Sequence, residues 1–424
     1  MSAETVIDAL DTRAGELGFD TGRLAYIDQV RAAQVETGEM AGIVTLIARH
    51  GKIAHYSAVG YADLASRARM RRDTVFRLYA MTRPIIATAL MTLYEDGAFQ
   101  LADPISTYIP GFADLAVLRT PESPIEDIVP AARQPRIHDL LRHTAGFARG
   151  SGRPDGSDAD STIDAAYLKA NLFDPDSSLA DMMRTLAPLP LRHQPGTTWE
   201  YGISADIQAR LVEILSGMPI DRFLEQRIFG PLGMKDSGYR PRDPSRLAAI
   251  HWWKGDRLVP CGTAHGYPEP ANYLLERRNI DSYARDNALK GGSNGLVGTV
   301  MDYWRFAQML LNGGEWEGRR ILGRPTVDYM ARDHLGPITI PNPGNIPSGM
   351  GFGLGLGVMK DPVAMGILGS EGQIFWFGGS HALFWIDPKE QLVVVALTQH
   401  TAMPPLAVNI FLSQMRAMIY SALC

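Results

Sequence analysis

The chain has 424 residues, 46 % of them hydrophobic and 21 % charged, which is the composition of an ordinary globular protein with room for two domains or one large domain carrying an insertion. Its formal net charge of −5 is small for this length, and it shows no basic run, zinc-knuckle or helix-turn-helix pattern, which argues against nucleic acid as a partner. Nowhere do about 18 apolar residues run uninterrupted, so no membrane span is expected, and the two distant cysteines, Cys261 and Cys424, suggest neither a structural disulfide nor a zinc site.

Met1 to Thr5 show neither a basic nor an apolar leader region, which predicts a cytoplasmic protein. Thr21 to Thr37 read as an amphipathic helix. The β-branched runs Gly42 to Arg49 and Ile53 to Gly60, on either side of His50-Gly51-Lys52, predict a hairpin. Thr82 to Glu95 place Ile85, Ile86, Ala89, Leu90 and Leu93 on one helical stripe, with Pro84 in the first turn and a stop at Asp96-Gly97. Ser204 to Leu215 and Val300 to Leu311 show similar stripes. Arg149 to Asp160 and Ile338 to Ser348 read as long surface loops. Gly351 to Gly357 alternate glycine with apolar residues, which suits a strand packed closely on a helix rather than a dinucleotide turn. A second hairpin follows, Ala382 to Ile386 and Leu392 to Leu397 flanking Asp387 to Glu390. Strands at both ends with helices between predict an α+β fold. One antiparallel sheet would form from the N- and C-terminal segments, flanked by helices. The sheet domain would span 21–80 and 290–424, and 81–289 a mainly helical inserted domain, with the cleft between them.

Phe76 to Pro84 resemble the S-x-x-K segment of serine β-lactamase-like, penicillin-binding-protein-like hydrolases, whose pattern reads approximately F-R-x-x-S-M-T-K-P. Here the nucleophile serine is replaced by Ala80 and the lysine by Arg83. Positions three apart share a helix face, and the first would sit at a helix N-terminus that favours developing negative charge. Alanine has no lone pair with which to form an acyl-enzyme. Arginine keeps its proton, so Arg83 can stabilise charge but is a poor base.

Pro195 to Asp206 resemble the family's P-G-x-x-W-x-Y-S segment, which implies Tyr201 as the acid/base, with Gly202 where a serine usually follows. A phenol has a pKa near 10 and needs a nearby cation to act as base, which Arg83 would supply. A buried structural tyrosine is the other reading. Phe375 to His381 resemble the W-G-G or H-G-G segment of esterase-like members. The resemblance implies a cleft-lining edge strand in which Phe377, Gly378, Gly379 and Ser380, with Tyr79, bind substrate, and whose backbone joins the N–H of residue 80 as oxyanion donor. His381 is either a further catalytic side chain or a hydrogen-bonded structural residue.

Leu140 to Phe147, Phe229 to Ser237 and Gly292 to Phe306 resemble scaffold segments of the same family, in the same order, so the resemblance covers roughly residues 25 to 415. The nearest patterns are those of family VIII carboxylesterases, class C β-lactamase-like proteins, D-aminopeptidase-type peptidases and statin-synthase-type acyltransferases. All imply a β-lactamase/transpeptidase-like fold, a small-molecule or short-peptide substrate and an acyl-serine mechanism. No metal cluster or phosphate loop is visible, and His138 and His143 do not make an H-E-x-x-H pattern, so neither cofactor nor metal is expected. Trp252, Trp253, Tyr267, Tyr273, Trp376 and Phe377 would line the cleft or fill the core.

Three readings stay open. The chain is an acyl-serine hydrolase for an ester, amide or peptide whose serine has been replaced; an enzyme with altered, non-acylating chemistry (lyase- or isomerase-like) using Tyr201 and Arg83; or a non-catalytic ligand-binding protein. The oligomeric state is open.

Overall fold

Both hairpins form, and the first is set by its turn: His50 and Gly51 have φ of 53° and 73°, the paired positive values that match the twist of two antiparallel strands. The computed structural model describes residues 7–9, 14–151, 159, 161–254, 257–261, 283, 286–340, 348–401 and 405–424. Tyr267, Tyr273 and the central parts of the two expected loops lie outside them.

The sheet takes β1 (Ile7–Ala9), β2 (Gly42–Arg49), β3 (Lys52–Asp63) and the short β4 (Ala68–Arg69) from the N-terminal part. From the C-terminal part come β7 (Met350–Phe352), β8 (Gly357–Met359), β9 (Ile374–Phe377), β10 (Leu383–Asp387) and β11 (Leu392–Leu397), while β5 (Phe76–Arg77) and β6 (Val297–Gly298) form a separate pair. The order is β1-β3-β2-β11-β10-β9-β8-β7, antiparallel throughout, with β4 on β3. The two halves of the chain meet where β11 pairs with β2, from Leu392 opposite Arg49 to Leu397 opposite Val44. Every residue of β11 is buried, so that strand reads as a continuous apolar run. The sheet begins at Ile7, N-terminal to the expected boundary at 21.

Helices cover both faces. On one, α1 (Thr21–Glu36) brings Asp28 to His55 and Ser57 of β3, and α5 (Pro405–Tyr420) stacks Tyr420 on Trp385 of β10. On the other, α4 (Val300–Leu311) packs Tyr303 on Phe384, the next residue along β10. Beyond α4 lie α2 (Thr82–Glu95), buried from Thr82 to Leu93, and α3 (Ser204–Ser216). One hydrophobic cluster runs through sheet, α2 and α3, including Leu46, Val395, Ile85, Leu90, Ile207 and Leu211.

The start of α2 is clamped. Leu78 donates its N–H to Leu296 O at 2.8 Å. Thr82 Oγ1 accepts the Leu296 N–H at 3.1 Å, and the Tyr303 hydroxyl donates to Met81 O at 3.0 Å. From the far side, the turn between β7 and β8 presses on the same helix. A Cβ on Gly355 (φ 82°) would lie 2.3 Å from the Ala87 Cβ, so this glycine is required by the helix; the expected single strand over 351–357 is corrected to two short strands whose turn sits directly on α2.

Gly355→Ala is expected to lower the unfolding free energy by about 2–4 kcal/mol, from overpacking plus a left-handed alanine. Gly366→Ala, with φ 66° and nothing within 4 Å of the added carbon, should cost only about 1 kcal/mol. Urea unfolding of both variants measures the difference.

Candidate active site

Residue 80 enters the helix through a strained step. Tyr79 has φ 48°, a left-handed conformation unusual for a bulky side chain. It is buried beside Ile250 and Cys261, with Trp252 packed on them. The strain is therefore held by packing, and it swings the chain into the single turn Tyr79–Met81 that leads into α2. Ala80 is half-buried. Its N–H belongs to a helix first turn, where donors lack intrahelical partners and the macrodipole is positive. Tyr79 itself is too covered to present its ring to a substrate; it shapes the turn.

The Gly-Gly segment lies against that turn. A Cβ on Gly378 would sit 2.6 Å from Leu78 O, and one on Gly379 would sit 3.7 Å from Tyr79 Cδ1, so only glycine lets the two backbones approach this closely at 378. Gly378 donates to Ala382 O at 2.7 Å and accepts from the His381 N–H at 3.1 Å. Among the described residues no backbone hydrogen bond engages the N–H of Gly379 or Ser380. The expected edge strand is corrected: β9 is paired on both sides. However, β8 reaches only as far as Phe375, which leaves Trp376 and Phe377 open on that side.

Gln399, not anticipated from the sequence, ties the two backbones together. Its carboxamide accepts from the Arg77 N–H at 3.2 Å and donates to Arg77 O at 3.3 Å and Ser380 Oγ at 3.1 Å. Ser380 is thus fully buried and engaged inside the protein, its carbonyl accepting from the Thr398 hydroxyl as well, which corrects its expected place against a substrate; of the two residues after Gly378, Gly379 is the exposed one. A glutamine next to a strand carries no sequence signal for this; the bridge exists only because β5 and the 378–382 turn are adjacent in space.

Tyr201 arrives from the middle of the chain. Its preceding residue, Glu200, is fixed by Arg192 and His193, each at 3.0 Å. The following Gly202 is forced: a Cβ there would lie 2.2 Å from Phe147 O and 2.4 Å from Ala148 O. The departure from the family's serine therefore has a steric cause. Arg83, 4 % exposed, sets its Cζ 4.1 Å over the Tyr201 ring centroid and donates Nη1 to Gly202 O at 2.6 Å. Arg83 is therefore the cation that the sequence put beside Tyr201, and it lies over the ring. The guanidinium covers the face of the phenol and makes no hydrogen bond to its hydroxyl, so its help is a field and not a proton path. Burial pulls the Arg83 pKa down, opposed by the fields of Tyr201 and Asp206.

Around Tyr201 the rings of His143, Trp199 and Trp376 lie at centroid distances of 5.1, 5.9 and 5.5 Å. His143, also unforeseen, is buried, and burial holds its imidazole well below the usual value, hence neutral. Phe377 stacks on Trp376 at 4.9 Å and is 38 % exposed, an aromatic surface at the rim. His381 stands apart from Arg83 and Tyr201 in every described contact. It has φ 61°, its Nδ1 meets His400 O at 3.0 Å, and burial pushes its pKa down to about 4. Those are the features of a turn residue held by a hydrogen bond. Among the described residues no cluster of three His, Cys, Asp or Glu is disposed to hold a metal ion, and no helix is long and apolar enough to cross a membrane.

The chain belongs to the Beta-lactamase family, whose profile matches residues 27–412. It is 32 % identical over 392 residues to Protein Rv1367c of Mycobacterium tuberculosis, covering 88 % of this chain and 89 % of that one. It is 28 % identical over 380 residues to Esterase EstB of Burkholderia gladioli, covering 89 % and 90 %. Among solved structures, EstCE1, described as a hydrolase with promiscuous acyltransferase activity, superposes with a TM-score of 0.78 at 26 % identity, covering 94 % of this chain and 99 % of that one. The simvastatin synthase LovD of Aspergillus terreus shares the fold, with a TM-score of 0.75 at 18 % identity over 94 % and 98 %. The α+β, antiparallel-sheet architecture and the β-lactamase and penicillin-binding-protein resemblance are those of this family.

Gly202→Ser, which restores the residue the family pattern has there, should destabilise the protein by about 3 kcal/mol because the new side chain meets two carbonyl oxygens. Gln399→Leu should cost about 2 kcal/mol or more by removing the buried carboxamide that bonds the Arg77 backbone and the Ser380 hydroxyl. Both follow from denaturant midpoints.

Proposed function

We propose that this member of the Beta-lactamase family is a hydrolase-type protein whose cleft recognises an ester, amide or peptide compound, and which as it stands binds that compound without acylation. Its relatives and structural neighbours include esterases and a hydrolase with acyltransferase activity, which supports the substrate class. The single observation that carries the reading is the assembly around the Ala80 methyl. The unengaged amide of Gly379, the helix start and the Tyr201–Arg83 pair support this reading, and the side chain that would attack is missing.

In the serine-bearing form, the hydroxyl at 80 attacks the carbonyl, Tyr201 takes its proton and returns it to the leaving group, and the amides hold the oxyanion. Arg83 cannot substitute for a neutral lysine in this step, because it remains protonated and is committed to Gly202 O. Arg83 also favours a second reading, in which Tyr201 polarises a carbonyl in non-acylating chemistry. In that case Tyr201→Phe would abolish a turnover that Ala80→Ser leaves unchanged.

The double variant Ala80→Ser/Arg83→Lys, incubated with a short-chain aryl ester, should give a burst of phenol and an acyl adduct by intact mass. The unaltered chain should give neither. Absence of any adduct in the folded double variant contradicts the hydrolase reading.

A further inference from the structure

We infer that the niche between Ala80, Arg83 and the 378–380 turn is a carboxylate site, which holds a small acid with an aromatic or apolar body non-covalently. The inference rests on the binding cleft proposed above and narrows its ligand to an anion. It starts from an imbalance of charge. Arg83 is 4 % exposed, and its one described hydrogen bond is to a neutral carbonyl. Its Nε is buried with no partner, and among the described residues no carboxylate lies within ion-pair distance of it. A guanidinium taken this far out of water is costly unless an anion compensates it.

The carboxyl that comes closest to that role is Asp206, and it is already occupied. It accepts the Gly292 and Ser293 N–H groups at 2.8 and 3.1 Å and the Ser293 hydroxyl at 2.5 Å. Burial also raises its pKa, which weakens it further as a counter-ion. A second cation reinforces the field: Arg149 is exposed, lies near enough to lower the Arg83 pKa, and joins no described ion pair. The guanidinium otherwise lies over the Tyr201 ring, and the nearby His143 imidazole is held well below its usual pKa by burial.

The neutral donors point the same way. The Ala80 N–H at the helix start and the unengaged amide of the exposed Gly379 suit the two oxygens of a carboxylate. With a methyl at 80 nothing can attack, so the acid stays intact. The half-buried Tyr201 ring and the exposed Phe377 offer flat apolar surfaces for its body.

Calorimetric titration of the full chain with benzoate and with its neutral isostere benzamide tests this. At neutral pH and about 0.15 M salt, benzoate should bind about tenfold tighter than benzamide or better. Arg83→Met should remove that preference. Should the variant not fold, Arg149→Ala, at an exposed position, should weaken benzoate several-fold and leave benzamide unchanged, and Ala80→Asp, which tethers a competing carboxylate in the niche, should abolish benzoate binding. Equal affinity for the two ligands, or benzoate affinity unaltered in Ala80→Asp, overturns the inference. The outcomes separate from those of the hydrolase reading. Benzoate selectivity without an acyl adduct in the double serine/lysine variant sinks only that reading, and an adduct without selectivity sinks only this inference.

Discussion

A buried guanidinium lying face-on to a phenol holds this site together. Arg83 belongs to the first turn of α2, Tyr201 to a loop more than a hundred residues on, and their contact, with the bond from Nη1 to Gly202 O, fixes the helix start against that loop. The other wall follows from backbone approach. Gly378 abuts Leu78, and Gln399 bridges Arg77 to Ser380, so the amides at 379 and 380 and the helix start have little freedom relative to one another. Segments that the sequence keeps far apart are held against one another by a cation–π contact, a glycine and one carboxamide.

On the function proposed above, the scaffold and the chemistry have parted company. The backbone devices that a carbonyl site needs are intact, including the left-handed Tyr79, whose strain is worth about 1–3 kcal/mol and has to be offset by packing. The side chains that would run an acyl transfer are altered at 80 and 83. Stored strain and unengaged amides are costs that binding a ligand can recover. A cleft that recognises without cleaving therefore accounts for both observations, and shared family membership alone does not decide between chemistries.

Much of this was legible in the chain. The helix stripes at 82–95 and 300–311 and both hairpins appear where periodicity and turn residues put them, because the apolar residues that set each pattern are buried, in α2 and β11 together with nearly everything around them. The segments around 80, 201 and 378 could be aligned in order with a family. Their finer roles could not be read that way. Whether Arg83 reaches the hydroxyl or the face of Tyr201 depends on rotamers set by burial. Whether Ser380 faces a substrate depends on Gln399, a residue with no local pattern. The reason for Gly202 lies in two carbonyls at 147 and 148, visible only once the loops are folded together. His381 shows the converse: a histidine beside paired glycines looks chemical in one dimension and is a turn residue in three.

The account predicts an occupied but silent cleft. A crystal of the unaltered chain soaked with an aryl ester should therefore show the ester intact, its carbonyl oxygen within hydrogen-bond reach of the amides at 80 and 379, its ring on Tyr201 or Phe377, and Arg83 still covering the Tyr201 face. An ester bound elsewhere, a cleaved product attached to the protein, or Arg83 turned out to solvent would contradict it.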